Sequence, residues 1–148
     1  MTDPNCLWCK ILAGELPSTK FYEDQNFIAI FDAFPHVEGQ ALLISKNHMT
    51  SKFEDVPDEV LTGAILSAKK VSQNLKKAFN SERIVQVTEG LQVDHMHMKL
   101  FPVENPERFS LAMLNEHYPQ AKDMLSPEKF EKLKRKFEEG VNSKDSEA

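Results

Sequence analysis

The segment His95–Lys99 carries the side chains best suited to chemistry in this chain. Side chains alternate between the faces of a β-strand, so a strand over Gln92–Phe101 places His95, His97 and Lys99 on one face. Three groups that can carry positive charge repel one another there, unless a metal ion or an anionic ligand lies between them. The alternative is a solvated polar face, which explains an isolated histidine better than it explains this row.

The chain has only two cysteines, Cys6 and Cys9, in the spacing Cys-x-x-Cys. With no export signal, such a pair indicates a metal site or a redox pair rather than a structural disulfide. The redox alternative requires a preceding strand and a thioredoxin-like context, which this sequence lacks. A zinc site requires two further nitrogen or sulfur ligands. His48 follows one predicted strand and His95 opens another, so both can meet an N-terminal helix that carries the cysteines.

The charge of the chain excludes one class of partner. Its 148 residues include 18 basic and 23 acidic side chains, a net charge of −5. Residues 126–148 hold six of each, so the whole excess lies in residues 1–125, with 12 basic and 17 acidic side chains. An acidic body is unsuited to long nucleic acids, whereas a pocket for a small phosphorylated ligand needs only local donors.

Hydropathy gives no indication of a membrane partner. The longest aliphatic run is Ala41–Ile44, whereas a membrane-spanning helix needs ~20 apolar residues. The N-terminus has no basic stretch followed by an apolar one, which a secretory signal would have. We therefore expect a cytoplasmic protein.

The elements that position these residues are those of an α+β domain. A short helix is predicted from Cys6 to Ala13, and apolar residues at helical spacing predict one long helix, Pro57–Phe79. The predicted strands are Phe21–Glu23, Phe27–Phe31, Gln40–Ser45, Arg83–Thr88 and Gln92–Phe101. The sequence therefore predicts an antiparallel sheet of about five strands.

The C-terminal part differs in composition from the rest of the chain. A helix is predicted over Pro127–Glu139, where charges alternate and Phe130, Leu133 and Phe137 recur at helical spacing. We expect this helix to lie on the surface and Gly140–Ala148 to be a frayed tail. The chain is thus divided into a domain of residues 1–125 and a charged helix and tail over residues 126–148.

Taken together, the motifs resemble the histidine-triad (HIT) superfamily. The resemblance extends from Cys6 to Pro102, roughly two thirds of the chain. It rests on five motifs in order: Cys6-x-x-Cys9-Lys10-Ile11-x-x-Gly14-Glu15-x-Pro17-Ser18, Tyr22-Glu23-Asp24, Phe31-Asp32-x-x-Pro35-x-x-x-Gly39, Leu43-Ile44-x-Lys46-x-His48 and Val93-x-His95-x-His97.

The resemblance implies a HIT-like fold that forms a homodimer, with the long helix at the interface. It also implies a small nucleotide substrate of the adenosine type that is cleaved at its α-phosphate. His97 would be the nucleophile that forms a nucleotidyl-histidine, which water then hydrolyses. Asp32 would accept hydrogen bonds from the ribose, and Phe31 would flank the base.

The zinc-containing branch of the superfamily binds its metal through two cysteines and two histidines. Mapped onto this sequence, the ligands are Cys6, Cys9, His48 and His95. Four protein ligands leave no open position for water, so the Zn²⁺ would be structural. It would tie the N-terminal helix to the ends of two strands.

The sequence departs from the family pattern near the phosphate. Lys99 occupies the third triad position, where histidine is usual, and we expect it to contact phosphate oxygens as a point charge and to act with His97 in catalysis. The short loop Glu89–Gln92 replaces a longer glycine-rich stretch. Gln92 would then offer its amide to the nucleotide, and Thr88, which stands where asparagine is common, would contact it too.

Three functions follow from these residues. The first is a nucleotidyl hydrolase or transferase that acts on nucleoside phosphoramidates or dinucleoside polyphosphates. The second is a nucleotide-binding module with little or no turnover, because of Lys99 and the short loop. The third is a zinc-stapled interaction protein that uses the charged C-terminal helix as its contact surface.

Overall fold

The structure, a computed structural model, describes residues 2–146, with side chains for all of these except Met113, Asp145 and Ser146. The strands are β1 (Lys20–Glu23), β2 (Phe27–Phe31), β3 (Ala41–Ser45), β4 (Arg83–Val87) and β5 (His97–Val103). The α-helices are α1 (Leu7–Leu12), α2 (Asp58–Ala78), α3 (Leu114–His117) and α4 (Pro127–Ser146). Short 3₁₀ turns lie at Phe53–Asp55, Pro106–Arg108 and Leu111–Met113.

The five strands form one antiparallel sheet in the order β1-β2-β3-β5-β4. Strands β2 and β3 are buried at every position, because both faces of the centre of the sheet are covered. The β1–β2 turn closes on the Asp24 carboxylate, which accepts hydrogen bonds from the backbone N–H groups of Asn26 and Phe27, both at 2.8 Å. The predicted α+β fold and its long helix are confirmed.

One face of the sheet carries the main core. Alternate residues of β2 lie there, under the apolar stripe of α2. Helix α4 crosses α2 and adds Phe137, which is 7% exposed. The charged side of α4 is exposed, as a surface helix should be, while its apolar stripe completes the core.

Helix α4 continues beyond the predicted end at Glu139. It runs through Gly140 to Ser146, so the prediction of a frayed tail is wrong up to that residue, and residues 147–148 lie outside the described chain. Val141 packs against the core and continues the apolar stripe. The boundary between residues 1–125 and 126–148 stays a prediction.

The other face of the sheet is covered at one end by α1. Trp8 of α1 packs with Ile28, Ile30, Leu42 and Ile44, which alternate with the main-core residues along β2 and β3. Residues of β2 and β3 on this second face are buried as well. No helix within residues 2–146 is both long and apolar enough to cross a membrane.

Strand β5 begins five residues later than predicted, at His97 rather than Gln92. Met96, just before β5, bonds both to the end of β3 and to the loop beyond it: Ser45 N–H donates to the Met96 carbonyl, and Met96 N–H donates to the Met49 carbonyl, each at 3.1 Å. His95 therefore lies in a bend next to the end of β3, not in the strand. At the other end, Pro102 remains within β5.

The crossing of α2 and α4 gives a test of packing. A Cβ added at Gly140 would lie 2.5 Å from the Ala78 Cα, a backbone atom that cannot yield without separating the helices. We expect Gly140→Ala to cost about 1–3 kcal/mol of stability and to lower the melting temperature. The matched control, Gly63→Ala in α2, meets only the Phe27 ring at 3.5 Å and should gain about 1 kcal/mol from helix propensity. If Gly140→Ala is as stable as wild type, α4 does not depend on this close approach.

Candidate active site and metal cluster

The second face of the sheet carries the histidine and the lysine singled out by the sequence. In the β3–β5 pairing, His97 lies beside Ile44 and Lys99 beside Leu42. Both side chains therefore project from the face that carries Ile30 and Leu42. The side chains of His97 and Lys99 thus lie on one face of the strand, as the alternation in the sequence predicted.

His97 is held as a neutral imidazole with a defined tautomer. Its Nδ1 lies 2.6 Å from the backbone carbonyl oxygen of His95, and a carbonyl only accepts, so Nδ1 carries the hydrogen. Burial lowers the pKa of His97, and the nearby Lys99 ammonium lowers it further. The side chain is 7% exposed and the edge of the Trp8 ring packs against it, with 5.3 Å between centroids. The Nε2 lone pair is consequently available as a nucleophile.

Lys99 is engaged by a residue that the sequence did not single out. Its Nζ donates to the Glu89 Oε1 at 2.8 Å. The alternation of β4 predicts this contact. Val85 pairs with Phe101 and Val87 with Lys99, so Glu89, two residues after Val87, continues along the same face. The period-two pattern thus extends two residues past the end of the strand.

Asp32 follows β2 and is fixed by two hydrogen bonds. Its Oδ1 accepts from the Phe34 backbone N–H at 2.9 Å, and its Oδ2 accepts from the Gln40 side chain at 2.8 Å. Gln40 in turn accepts from the His36 N–H at 2.6 Å, a role that the sequence did not reveal. The Asp32 carboxylate acts on the pKa of His97, which it raises slightly against the larger effect of burial. It is both a loop cap and a group within electrostatic reach of His97.

Other predicted nucleotide contacts are not brought to this group. Phe31 is 1% exposed and lies in the main core, where it stacks on Phe21 with 4.4 Å between ring centroids. Alternation places Ile30, not Phe31, on the face of His97, and the predicted contact of Phe31 with a base stays a prediction. Thr88 and Gln92 are exposed in the loop between β4 and β5, and their contacts stay predictions.

The four predicted metal ligands do come together. Their donor atoms all lie within 4.8 Å of one another: Cys6 Sγ, Cys9 Sγ, His48 Nδ1 and His95 Nδ1. The closest pairs are the two Nδ1 atoms at 3.2 Å, Cys6 with His95 at 3.3 Å, and Cys9 with His48 at 3.4 Å. Ligands at ~2.0–2.3 Å in a tetrahedron are separated by about 3.3–3.8 Å, so the cluster has the dimensions of a four-coordinate metal site.

Neighbouring groups prepare these donors for a cation. His95 is completely buried, and its Nε2 donates to the Ser45 carbonyl at 2.7 Å, which leaves Nδ1 unprotonated. Burial lowers the pKa of His95, which keeps the ring neutral. Burial also raises the pKa of the Cys9 thiol, whereas the Asp3 N–H donates to its sulfur at 3.4 Å. A bound cation would supply the positive charge that a thiolate in this position needs.

Comparison with a family model identifies the chain. Residues 13–105 match the HIT domain. The chain belongs to the HIT family. The matched segment includes His48, His95, His97 and Lys99, while the two cysteines precede it.

Individual HIT proteins agree with this assignment. The adenosine 5'-monophosphoramidase of Saccharomyces cerevisiae is 37% identical over 103 residues, which are 68% of this chain and 63% of that protein. The enzyme of the same name from Schizosaccharomyces pombe is 31% identical over 134 residues, 87% of this chain and 92% of its own. A zinc-bound histidine-triad protein from Mycobacterium smegmatis has the same fold, with a TM-score of 0.74, 22% identity and coverage of 97% and 98%. These HIT relatives support a hydrolase.

The metal cluster can be tested in this HIT protein without a substrate. Cys9→Ser replaces a thiolate donor by a hydroxyl that does not ionise, so we expect metal per chain after dialysis to fall below about half of the wild-type value. The melting temperature should fall with it, because the cluster joins α1 to two segments of the sheet. Elemental analysis by plasma mass spectrometry gives the metal content. His117→Ala, at an exposed histidine outside the cluster, is the control, and wild-type metal content in Cys9→Ser would disprove the site.

Proposed function

We propose that this protein is a nucleotidyl hydrolase that cleaves adenylated substrates at the α-phosphate through a nucleotidyl-His97 intermediate. The substrate class is the nucleoside phosphoramidates or the dinucleoside polyphosphates. The observation that carries the proposal is the hydrogen bond of 2.6 Å between His97 Nδ1 and the His95 carbonyl. It leaves the Nε2 of a neutral imidazole unprotonated, on the face of the sheet that carries Lys99. Two relatives named adenosine 5'-monophosphoramidases support the adenylyl group.

The reaction divides into two displacements at phosphorus. In the first, His97 Nε2 forms a bond to the α-phosphorus, and the bond from phosphorus to the leaving group breaks with its electron pair on the leaving group. In the second, water attacks the same phosphorus and the bond to Nε2 breaks, which restores neutral His97 and releases AMP. One water is consumed overall: its hydroxyl becomes part of AMP, and the proton that it releases balances the proton taken up by the leaving group. The His95 carbonyl stabilises the charge that the ring carries between the two steps.

The residues around His97 fit a bound nucleotide. Asp32, at the end of β2, would accept hydrogen bonds from the ribose hydroxyls. Lys99 would donate to a phosphate oxygen as a compact charge. Ile30 and Leu42 offer an apolar wall for the base on the same face. Thr88 and Gln92 remain candidate contacts from the loop.

We propose that Cys6, Cys9, His48 and His95 hold a structural Zn²⁺. The dimensions of the cluster and its two sulfur and two nitrogen donors suit this ion, and a similar fold from Mycobacterium smegmatis is zinc-bound. Bound zinc would supply a fixed positive charge that cross-links α1 to the sheet. Two reduced cysteines suit a reducing compartment, and on this ground we propose a cytoplasmic location.

One observation favours the second function, a nucleotide-binding module without turnover. Lys99 stands in the third triad position, and its ammonium is already paired with Glu89 at 2.8 Å. A paired lysine stabilises a developing charge on a leaving group less than a free donor does. In this alternative the pocket binds AMP and releases nothing.

A homodimer is the state we propose for this fold. Ile65 and Leu66 of α2 are 58% and 64% exposed, and β4 is an edge strand. A groove of about 590 Å³ lies between α2 and β4, lined in part by Ile65 and Ile84. A second copy would cover these apolar groups and pair the open edge.

Turnover decides between the two functions. We expect wild type to release AMP from adenosine phosphoramidate or from diadenosine polyphosphates, measured by chromatography. His97→Ala should lower kcat by at least about a thousandfold, because no other group forms the intermediate, and His117→Ala should keep full activity. If folded, metal-loaded wild type binds AMP and releases none from any substrate, the hydrolase proposal fails and the binding module is favoured.

Analytical ultracentrifugation tests the dimer. Ile65→Asp buries a charge in the proposed interface, and an uncompensated buried charge is strongly unfavourable, so we expect a monomer. Leu111→Asp makes the same kind of change at a residue 53% exposed outside α2 and β4. It should sediment as wild type does. A wild-type monomer at micromolar concentration would refute the interface.

A further inference from the structure

The Glu89–Lys99 ion pair lies on the same face of the sheet as His97. Lys99 Nζ and Glu89 Oε1 are 2.8 Å apart, with side chains 27% and 41% exposed. His97 and Lys99 are two residues apart in β5, so their side chains project from the same face of the sheet and the ion pair lies beside the imidazole. A carboxylate is thus held within electrostatic reach of the attacking nitrogen.

The backbone that carries Glu89 is fixed by its neighbour. Gly90 has φ +61°, and a Cβ there would lie 2.4 Å from the Ser51 Cβ, so only glycine fits this contact. The Ser51 hydroxyl donates to the Gly90 carbonyl at 2.9 Å, and the Asp94 carboxylate accepts from the Ser51 N–H at 2.8 Å. The short loop is therefore pinned to the segment after β3, and the position of Glu89 is part of the fold.

We propose that Glu89 is a specificity-determining residue that favours leaving groups departing as amines over those departing as polyphosphates. The inference rests on the proposed hydrolysis at the α-phosphate. It follows from the sign of the charge on the departing group and from the occupation of Lys99 by the carboxylate. Glu89 acts on the leaving group directly, by its field, and through Lys99.

The two classes of substrate differ in the charge they release. When a P–N bond breaks in the first displacement, the nitrogen keeps the electron pair and takes a proton from solvent, which the water consumed in the second displacement later returns. As a free amine it takes up a further proton from solvent. The resulting ammonium is attracted by the Glu89 carboxylate. When the P–O bond of a dinucleoside polyphosphate breaks, the oxygen keeps the electron pair and a nucleoside polyphosphate departs with several negative charges. The carboxylate repels this group, and Lys99 is already neutralised by its partner.

The experiment compares wild type with Glu89→Gln on two substrates that share the adenylyl group. These are adenosine 5'-phosphoramidate, which releases ammonia, and diadenosine tetraphosphate, which releases ATP. We expect the ratio of kcat/KM for the tetraphosphate to that for the phosphoramidate to rise about tenfold, the scale of one charge pair at ~4 Å in a partly exposed site. Glu139→Gln, on the exposed side of α4, removes the same charge on the side of the sheet opposite His97. It should leave the ratio unchanged.

The outcomes separate the inference from the function on which it rests. If wild type releases AMP, His97→Ala does not, and Glu89→Gln shifts the ratio by less than about twofold, the inference is overturned and the hydrolase stands. If wild type releases AMP from neither substrate, the hydrolase fails. Calorimetric titration then measures the affinity for diadenosine tetraphosphate relative to that for AMP. That ratio should still rise in Glu89→Gln, and an unchanged ratio overturns the inference in this case too.

Discussion

The bend at His95 is the constraint on which both the Cys6–Cys9–His48–His95 cluster and the orientation of the His97 ring depend. Its Nε2 donates to the Ser45 carbonyl at 2.7 Å, its Nδ1 joins the cluster, and its own carbonyl accepts from His97 at 2.6 Å. Rotation of this one peptide segment would therefore alter the tautomer of His97 as well as the position of a metal ligand. Complete burial of the side chain makes each lost hydrogen bond costly, because no water replaces it.

This arrangement makes the N-terminal helix a part of the site, although α1 is only six residues long. A helix of that length is not stable alone. It is held by Trp8, which packs against the second face of the sheet, and by the two cysteines at the cluster. Trp8 in turn packs on His97, so the side chain that anchors α1 also shields the His97 ring from water.

Much of this could be predicted from the sequence because its signals are local and periodic. The stripe of α2 gave its bounds to within one residue at each end, and the alternation in His97–Lys99 gave the shared face. The start of β5 could not be predicted, because the bend is set by bonds from Met96 to Met49 and Ser45, far away in sequence. Phe31 lies in the main core, on the face opposite His97; the alternation of β2 predicts this position, whereas its contact with a base came from the family resemblance alone. Glu89 was missed because a loop residue shows no periodicity until its strand partner is known.

A phosphate site on a protein with a net charge of −5 requires that local geometry outweigh the overall field. Around His97 the charged groups are Lys99, Glu89 and Asp32, all of which act on its pKa. Their sum is negative by one, so the site offers little attraction to a dianionic terminal phosphate. An α-phosphate that is esterified on one side and substituted on the other carries only one negative charge, so this local charge opposes its binding less. The local charge around His97, which weakens any general attraction for anions, thus suits the proposed reaction at an internal phosphorus atom.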